Sequence, residues 1–378
     1  MRILFWNETY LPVLGGVESM TSALAVGLQL RGHEVAVVAE HSSPNLPANE
    51  VIDGIAVHRF RFFSGLSGLA GPDTASLAGI GGLERDVRRL KGAFRPDIVH
   101  VNLAGANPLF HLRSASAWPA ATIVALQAPL SKQVACTPVV TRLVAAASAL
   151  VAPSQSSAAH FADLVGRPRN SVAAIFPGVD PDAFDPTAAQ HRGGVCHIVG
   201  LGRLVRDKGF DIAIRAMALL GGLARLTIVG EGPAEPELRR LVAALGLESA
   251  VDIVGRVDDQ RRRDILSSAD IMVVTSRHME FFGIVAAEGA LSALPVVASR
   301  VGGLAEVVAD DETGILVPAE VPEALAAALI RLCSDRELAA QMGKAARKRA
   351  VRLFSVDRMV DRYEELYRGS LPRHQRTD

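Results

Sequence analysis

Short β-branched runs alternate with amphipathic segments along the chain, and they do so in two separate series. The first series is Arg2–Trp6, Glu34–Ala39, Asp97–Val101, Thr122–Leu126, Ala149–Ala152 and Val172–Ile175; the second is His197–Gly200, Arg225–Val229, Val251–Val254, Ile271–Thr275, Pro295–Ala298 and Gly314–Val317. Strand followed by helix, repeated, is the pattern of a parallel sheet covered by helices, an α/β fold. Two series predict two Rossmann-like domains. Between them Ile175–Val195 reads IFPGVDPDAFDPTAAQHRGGV, where Pro, Gly and Asp crowd together and the apolar period is lost. The expected division is a first domain over 1–176, a linker over 177–194 and a second domain over 195–354. A last helix begins at 355 and crosses back onto the first domain, and the tail to 378 is frayed. In open α/β sheets ligands bind outside the carboxyl ends of the strands at a topological switch point. Two such domains facing one another predict a ligand held in a cleft by loops that follow strands.

Charge narrows the partners. The 378 residues carry 40 Lys+Arg against 40 Asp+Glu, a formal net charge of zero. Such a balance exerts no global pull toward nucleic acid or an anionic membrane, so any anion site must be built locally. Cys136, Cys196 and Cys333 are odd in number, far apart in sequence and without a Cys-x-x-Cys pair. They suggest neither a disulfide framework nor a zinc site, and point to a reducing cytoplasm. The N-terminal MRILFWNETYLP has no long apolar region, and the apolar stretch Val134–Val151 is interrupted by Arg142; neither a signal peptide nor a membrane span is expected.

Three loops carry chemistry. After Trp6, Gly15-Gly16 stand immediately before the helical pattern Val17–Leu30, where backbone N–H groups can approach an anion, although simple helix entry is the commoner use of such a turn. In the second series VGLGRLVRDKGF places Arg203 and Lys208 in the loop before the helix Phe210–Leu219, where the two cations either converge on a diphosphate, the Arg as a fork and the Lys as a point charge, or are ordinary surface cations of a solvated loop. The sharpest signal is EFFGIVAAEGA: Glu280 lies in the loop after the strand Ile271–Thr275, a helix opens near Gly283, and Glu288 follows inside it. The amides of Gly283, Ile284 and Val285 point out of the first helical turn as an anion site, and the two carboxylates are spaced to accept from hydroxyl groups at either end of a nucleotide sugar.

With these residues in place the chain resembles the retaining nucleotide-sugar glycosyltransferases of the GT-B fold, family 4. The resemblance is carried by LGGVE (Leu14–Glu18), RPDIVHV (Arg95–Val101), IFPGVDPDAF (Ile175–Phe184), VGLGRLVRDKGFD (Val199–Asp211), IVGEGP (Ile228–Pro233), VGRV (Val254–Val257), the Glu-x7-Glu stretch, and Leu294–Pro318 with LPVVASRVGGLAEVV and TGILVP. It implies that Arg203 and Lys208 bind the donor diphosphate, that Glu288 binds the ribose and that Glu280 stands near the transferred sugar. It further implies that Gly283, Ile284 and Val285 contact sugar and phosphate, that Arg256 and Val257 flank the base, with Glu231 a lining residue, and that Gly15-Gly16 face the diphosphate. The implied partners are a nucleotide-sugar donor, which is a substrate, and an unknown hydroxyl acceptor, with no cofactor, no metal and no nucleic acid. Departures from the family are Gln127 where a His is usual, Thr275-Ser276 for Pro-Ser, and Ala293 for a Gly before Leu-Pro-Val. Gln127 touches the expected reaction centre; Asn102 is the alternative occupant of that place.

Other candidates read as structural. Asp180-Pro181-Asp182 matches an Asp-x-Asp metal signature but lies in the linker beside prolines, and Asp258-Asp259 begin a helix as caps. His100, His111 and His197 lack metal spacing, and Ser154 and Ser156 lack a Gly-x-Ser-x-Gly elbow. Arg85, Arg88, Arg89 and Lys91, near the apolar and Gly-rich His58–Gly71, suggest either a peripheral membrane contact or a solvated helix face and an acceptor-side loop. Rival functions are an epimerase or phosphorylase of similar fold and a non-catalytic sugar-nucleotide-binding partner; a dehydrogenase is disfavoured by the lack of Gly-x-Gly-x-x-Gly after the first strand.

Overall fold

Residues 1–372 other than 14, 42, 44, 63–76, 105–106 and 185–193 are described by a computed structural model, in which two mainly parallel sheets form. The first contains β1 (Arg2–Trp6), β2 (Glu34–Glu40), β3 (Asn49–Ile52), β4 (Ile55–Phe60), β5 (Ile98–Asn102), β6 (Ala121–Ala125), β7 (Ala149–Ala152) and β8 (Val172–Ala174), in the order β3-β4-β2-β1-β5-β6-β7-β8. The second contains β9 (Cys196–Leu201), β10 (Ala224–Val229), β11 (Val251–Gly255), β12 (Ile271–Val274), β13 (Val296–Ser299) and β14 (Gly314–Val317), in the order β11-β10-β9-β12-β13-β14. The chain divides into one unit of Met1–Gly178 with Val356–Asp378, and another of Val179–Ser355.

The central strands are buried on both faces, as parallel strands under two layers of helix must be: Ile3 through Trp6, all of β9 and all of β12 are buried. In the first unit Phe5, Val37, Ile98 and Ile123 pack with Leu24 and Leu28 of the helix Gly16–Leu30 and with Met359, Val360, Tyr363 and Tyr367 of the last helix, Val356–Ser370. That helix is also tied down by polar contacts, with Arg31 bonded to Asp361 and Glu364 and the His33 ring 2.7 Å from Glu364. In the second unit Ile198, Leu226, Ile253 and Val273 pack in one core with Phe210, Ile214 and Met217 of the helix Phe210–Ala218 and with Leu325 and Leu329 of the helix Pro322–Ser334.

One piece of the first sheet departs from the expected strand series. Between Glu40 and Ile98 stand β3 and β4, an antiparallel hairpin turned by Asp53 (φ 51°) and Gly54 (φ 79°), with β4 parallel to β2. Two consecutive positive φ angles suit a two-residue hairpin turn, and Asp-Gly is a favoured pair there. The strand itself alternates buried and half-buried residues, because it lies toward the sheet edge. Its inward Arg59 is covered, donating to the carbonyls of Leu11 at 2.5 Å and Pro47 at 3.1 Å and pairing with Glu50.

Each sheet has a switch point. β1 pairs with β2 on one side and β5 on the other, and β9 pairs with β10 and β12. The chain enters the two neighbours from opposite directions, which leaves a crevice at the carboxyl ends of those strands.

Candidate functional site

At the β9/β12 switch point two loops meet. The chain leaves β9 through Gly202, makes a short turn at Arg206–Lys208, and enters the helix Phe210–Ala218 at Gly209. Gly209 has φ 64°, and a Cβ there would lie 2.1 Å from the Thr275 carbonyl oxygen, so only glycine permits the approach of the two loops. On the other side the chain leaves β12 through Thr275–Phe282. The Lys208 ammonium donates to Glu280 Oε2 at 2.6 Å, and the Ser276 hydroxyl donates to the same oxygen at 2.9 Å. The Glu280 backbone is fixed from a third loop: its carbonyl accepts from Gly303 N at 2.7 Å, and Gly302, at φ 49°, packs so closely that a Cβ would be 2.3 Å from that oxygen.

The helix Ile284–Leu291 then opens at Gly283, whose φ of 98° excludes most side chains. Its N-terminus has no side-chain cap and no acidic residue in the first turn. The amides at Gly283, Ile284 and Val285 therefore retain the partial positive charge of a helix start. Glu288, in the second turn, is 6% exposed. Arg262, from the helix Asp259–Ser268, approaches Glu288 Oε1 at 3.2 Å, while Glu288 Oε2 and Arg262 Nε are both buried without a hydrogen-bond partner. Burial raises the Glu288 carboxyl above the usual range, an effect that Arg262 partly offsets. A buried acceptor left unpaired costs about 1–3 kcal/mol, which a donor hydroxyl from a ligand would recover.

The other two cations expected at the donor, Arg203 and Arg256, are more open. Arg203 is exposed, and no ion pair or hydrogen bond engages its guanidinium among the described residues. Arg256 reaches Glu231 Oε1 at 3.3 Å with both side chains mostly in water, and Val257 is half-buried. Among the described residues no group of three or more His, Cys, Asp or Glu side chains is placed to hold a metal ion, and no helix is long and apolar enough to cross a membrane.

Gly15, Gly16, Asn102 and Gln127 belong to the first unit. Gly15 precedes the helix Gly16–Leu30, but the Glu18 carboxylate folds over it: a Cβ on Gly15 would be 2.4 Å from Glu18 Oε2, and Thr9 donates to the other oxygen. That N-terminus therefore carries its own anion. Asn102, at the end of β5, is 4% exposed and donates to Asn7 Oδ1 at 2.9 Å and Thr21 Oγ1 at 3.0 Å. Gln127 follows β6, and its amide donates to the Tyr363 hydroxyl of the last helix at 3.3 Å.

The discounted residues have ordinary partners. Asp180 accepts from Asp182 N, Asp258 caps its helix through Arg261 N, and Ser154 forms a reciprocal cap with Ser157. His100, His111 and His197 are buried and bonded to Tyr367, Thr122 and Thr227 respectively. Lys91 does not join a basic surface. It is 1% exposed, donates to His111 Nδ1 at 2.9 Å, lies 5.8 Å from the Trp6 ring centroid, and is pushed down to about 7 mainly by burial. Arg88 and Arg89 are paired with Glu84 and Asp86 on their own helix. Residues 63–71 of the apolar stretch, 185–193 of the seam, Leu14 of the LGGVE motif and the tail from 373 lie outside the described residues.

Sequence reasoning missed Arg262, the Gly302-Gly303 contact and Arg277, whose guanidinium reaches from the loop after β12 to the Arg206 carbonyl at 3.0 Å. Arg262 sits in the run RRRD, which looks like a solvated face, and only its packing against Glu288 distinguishes it. The Gly-Gly pair was available as a signal, because two glycines after a strand mark a close backbone approach.

Residues 189–349 match the family model described as Glycosyl transferases group 1, and residues 14–183 match Glycosyltransferase Family 4. The chain belongs to the family 4-type glycosyltransferases of the GT-B fold. Among curated members, the D-inositol 3-phosphate glycosyltransferase of Acidothermus cellulolyticus is 36% identical over 61% of this chain and 55% of its own length, so the match spans about half of that relative. Glycogen synthase of Mycobacterium tuberculosis is 29% identical over 97% of this chain and 94% of its own. Among solved structures, HepE of Anabaena in complex with UDP superimposes with a TM-score of 0.78 at 22% identity, covering 97% of this glycosyltransferase and 99% of that chain. Sucrose-phosphate synthase of Thermosynechococcus elongatus gives 0.78 at 22% identity, covering 97% and 98%.

Proposed function

We propose that this glycosyltransferase moves a sugar, with retention, from a nucleoside diphosphate donor to a hydroxyl acceptor, and that the unit of Val179–Ser355 binds the donor while the first unit serves the acceptor. The observation that carries the reading is Glu288 Oε2, a buried carboxylate oxygen without a partner, in a helix whose N-terminus is free of any side-chain cap. Glu288 takes the ribose hydroxyls, and the amides of Gly283, Ile284 and Val285 take phosphate or sugar oxygens. Arg203 and Lys208 take the diphosphate, Arg256 and Val257 flank the base, and Glu280 stands at the sugar.

The reaction breaks the bond between the sugar's anomeric carbon and the diphosphate oxygen and forms one to the acceptor oxygen on the same face, with the acceptor's proton passing to the departing phosphate. Negative charge grows on the leaving diphosphate, where preorganised cations and helix amides stabilise it most. These groups act without a metal, so turnover is expected to survive EDTA. Asn102 or Gln127 contacts the sugar or acceptor side, and peripheral contact with a membrane remains part of the acceptor reading.

A ligand that binds only the native state raises the melting temperature by mass action. Thermal shift with ADP, GDP, UDP and their glucose or mannose conjugates is the test, with UDP first because the Anabaena protein was solved with it. A rise for at least one nucleotide that disappears in Glu288→Ala is expected. No rise with any of them sinks the reading.

A further inference from the structure

Besides the Lys208–Glu280 pair, the loops bearing those two residues are joined by contacts from Thr275 and Arg277. The Thr275 hydroxyl donates to the Lys208 carbonyl at 2.9 Å. Arg277 N donates to the Asp207 carbonyl at 2.8 Å, and Arg277 Nη1 to the Arg206 carbonyl at 3.0 Å. The guanidinium is itself held, forking onto both carboxylate oxygens of Asp211 at 2.7 Å each, with Nε on Glu320 at 2.7 Å. With the Gly209–Thr275 approach, every residue from Arg206 to Gly209 is touched by Thr275 or Arg277. The bonds run to backbone carbonyls of the turn, so they fix its path and not merely its charge. Where the family resemblance has a proline, this chain has a residue with a hydroxyl to give.

We propose that Thr275 and Arg277 are positioning residues, a clasp that holds the Arg206–Gly209 turn against the Glu280 loop and sets where Lys208 presents its ammonium to a diphosphate. A lysine is a point charge on a flexible stem, and its aim depends on where the backbone starts it. The bidentate Arg–carboxylate fork gives the clasp an orientation that a lysine at 277 would not reproduce. The inference rests on the reading of Lys208 as a diphosphate ligand.

The test is a double-mutant cycle on nucleoside diphosphate affinity, with ADP, GDP and UDP each titrated calorimetrically into the wild type, Lys208→Ala, Arg277→Met and the double variant. Each single change is expected to weaken the tightest of the three by about tenfold, and the double to fall no more than about threefold below the weaker single, because both remove one interaction. Independent losses, multiplying to about a hundredfold, overturn the clasp while leaving Lys208 in its role. Unchanged affinity in Lys208→Ala, or no binding to the wild type, overturns the diphosphate reading and the clasp with it. Thr275 gives a second route if Arg277→Met fails to fold. Thr275→Ser should keep wild-type affinity and Thr275→Val should lose about threefold or more, since only the hydroxyl differs in function; equal affinities overturn the proposal.

Discussion

At the switch point of the first sheet Asn7 follows β1 and Asn102 ends β5; at that of the second, Lys208 follows β9 and Glu280 follows β12. The first is lined by neutral groups that bond one another, Asn102 to Asn7 and Thr21, and Asn107 to the Asn7 carbonyl at 3.0 Å. Its helix start is covered by Glu18, and carboxylates accumulate beside it. Glu8 is raised by burial and by Glu18, and Glu40 is pushed up to about 7 by burial and by Glu8. The second offers an uncapped helix start, an exposed Arg203 and an unpaired Glu288 oxygen. One architecture thus supplies two kinds of crevice, and the difference lies in whether a short acidic side chain occupies the helix N-terminus. On the proposed reading, an anionic diphosphate is favoured at the second and repelled at the first.

The largest effect that could break this comparison is on turnover. Lys208→Ala and Arg203→Ala should each slow glycosyl transfer by about a hundredfold or more, because they act on charge that develops in the transition state. Initial rates of nucleoside diphosphate release measure it; near-normal rates in both variants would place the diphosphate elsewhere. Next comes donor affinity. Glu288→Ala should weaken nucleotide binding by about 1.5–3 kcal/mol, the range for hydrogen bonds to a charged group. The comparison fails if Asn102→Ala, in the first crevice, weakens the same nucleotide as much.

Two lysines sharpen the contrast in a different measurement. Lys208 is held at a quarter exposure by Glu280, whereas Lys91 of the first unit is buried against His111 and Trp6. Burial lowers Lys91 from 10.5 to about 7. Between those values the unfolded chain binds a proton that the folded chain does not, so Lys91 makes stability rise with pH over that window. The slope is at most about 1.4 kcal/mol per pH unit for a single proton. Glu40 works the other way and lower, its stabilising contribution complete below 4.5 and lost as pH rises through about 7, which leaves the window above 7 to Lys91. Chemical denaturation between pH 7 and 10 should show the rise in the wild type and a flatter profile in Lys91→Met; equal slopes would mean that Lys91 keeps its proton in the fold.

Both the strand series and the places of Lys208, Glu280 and Glu288 in the fold were legible in sequence for the same reason: each depends on local order, a strand, a loop and a helix start in succession. The β3–β4 hairpin was missed, although Asp53-Gly54 between alternating residues is a hairpin signal, because strands toward a sheet edge lack the continuous apolar run that marks the others. What stayed hidden is set by packing between distant segments. Arg262 meets Glu288 from another helix, Glu18 turns back over Gly15, and Lys91 enters the interior because Trp6 and His111 line its path. A charge in a sequence gives no indication of whether its partner is solvent, a neighbour or a ligand.

Gln127 should give the smallest effect on donor binding and is the most discriminating within the first unit. Its amide nitrogen is bonded to Tyr363, and no hydrogen bond reaches Oε1 among the described residues, so the side chain has an acceptor left to offer a hydroxyl. The bond to Tyr363 comes from the last helix, which ties the orientation of Gln127 to a segment far away in sequence. If the first unit serves the acceptor or the sugar, Gln127→Ala should change nucleoside diphosphate affinity by less than about threefold while turnover falls by about tenfold, the cost of roughly one hydrogen bond in the transition state. Tyr363→Phe removes the partner but not the amide, and should produce a smaller loss of turnover with the same unchanged affinity. Gln127→His restores a ring that titrates, and should add a limb to the pH–rate profile near pH 6–7, about the reference value for histidine, which the wild type lacks. Wild-type rates and pH dependence in all three variants would remove Gln127 from the site and leave Asn102 as the residue to test on that face.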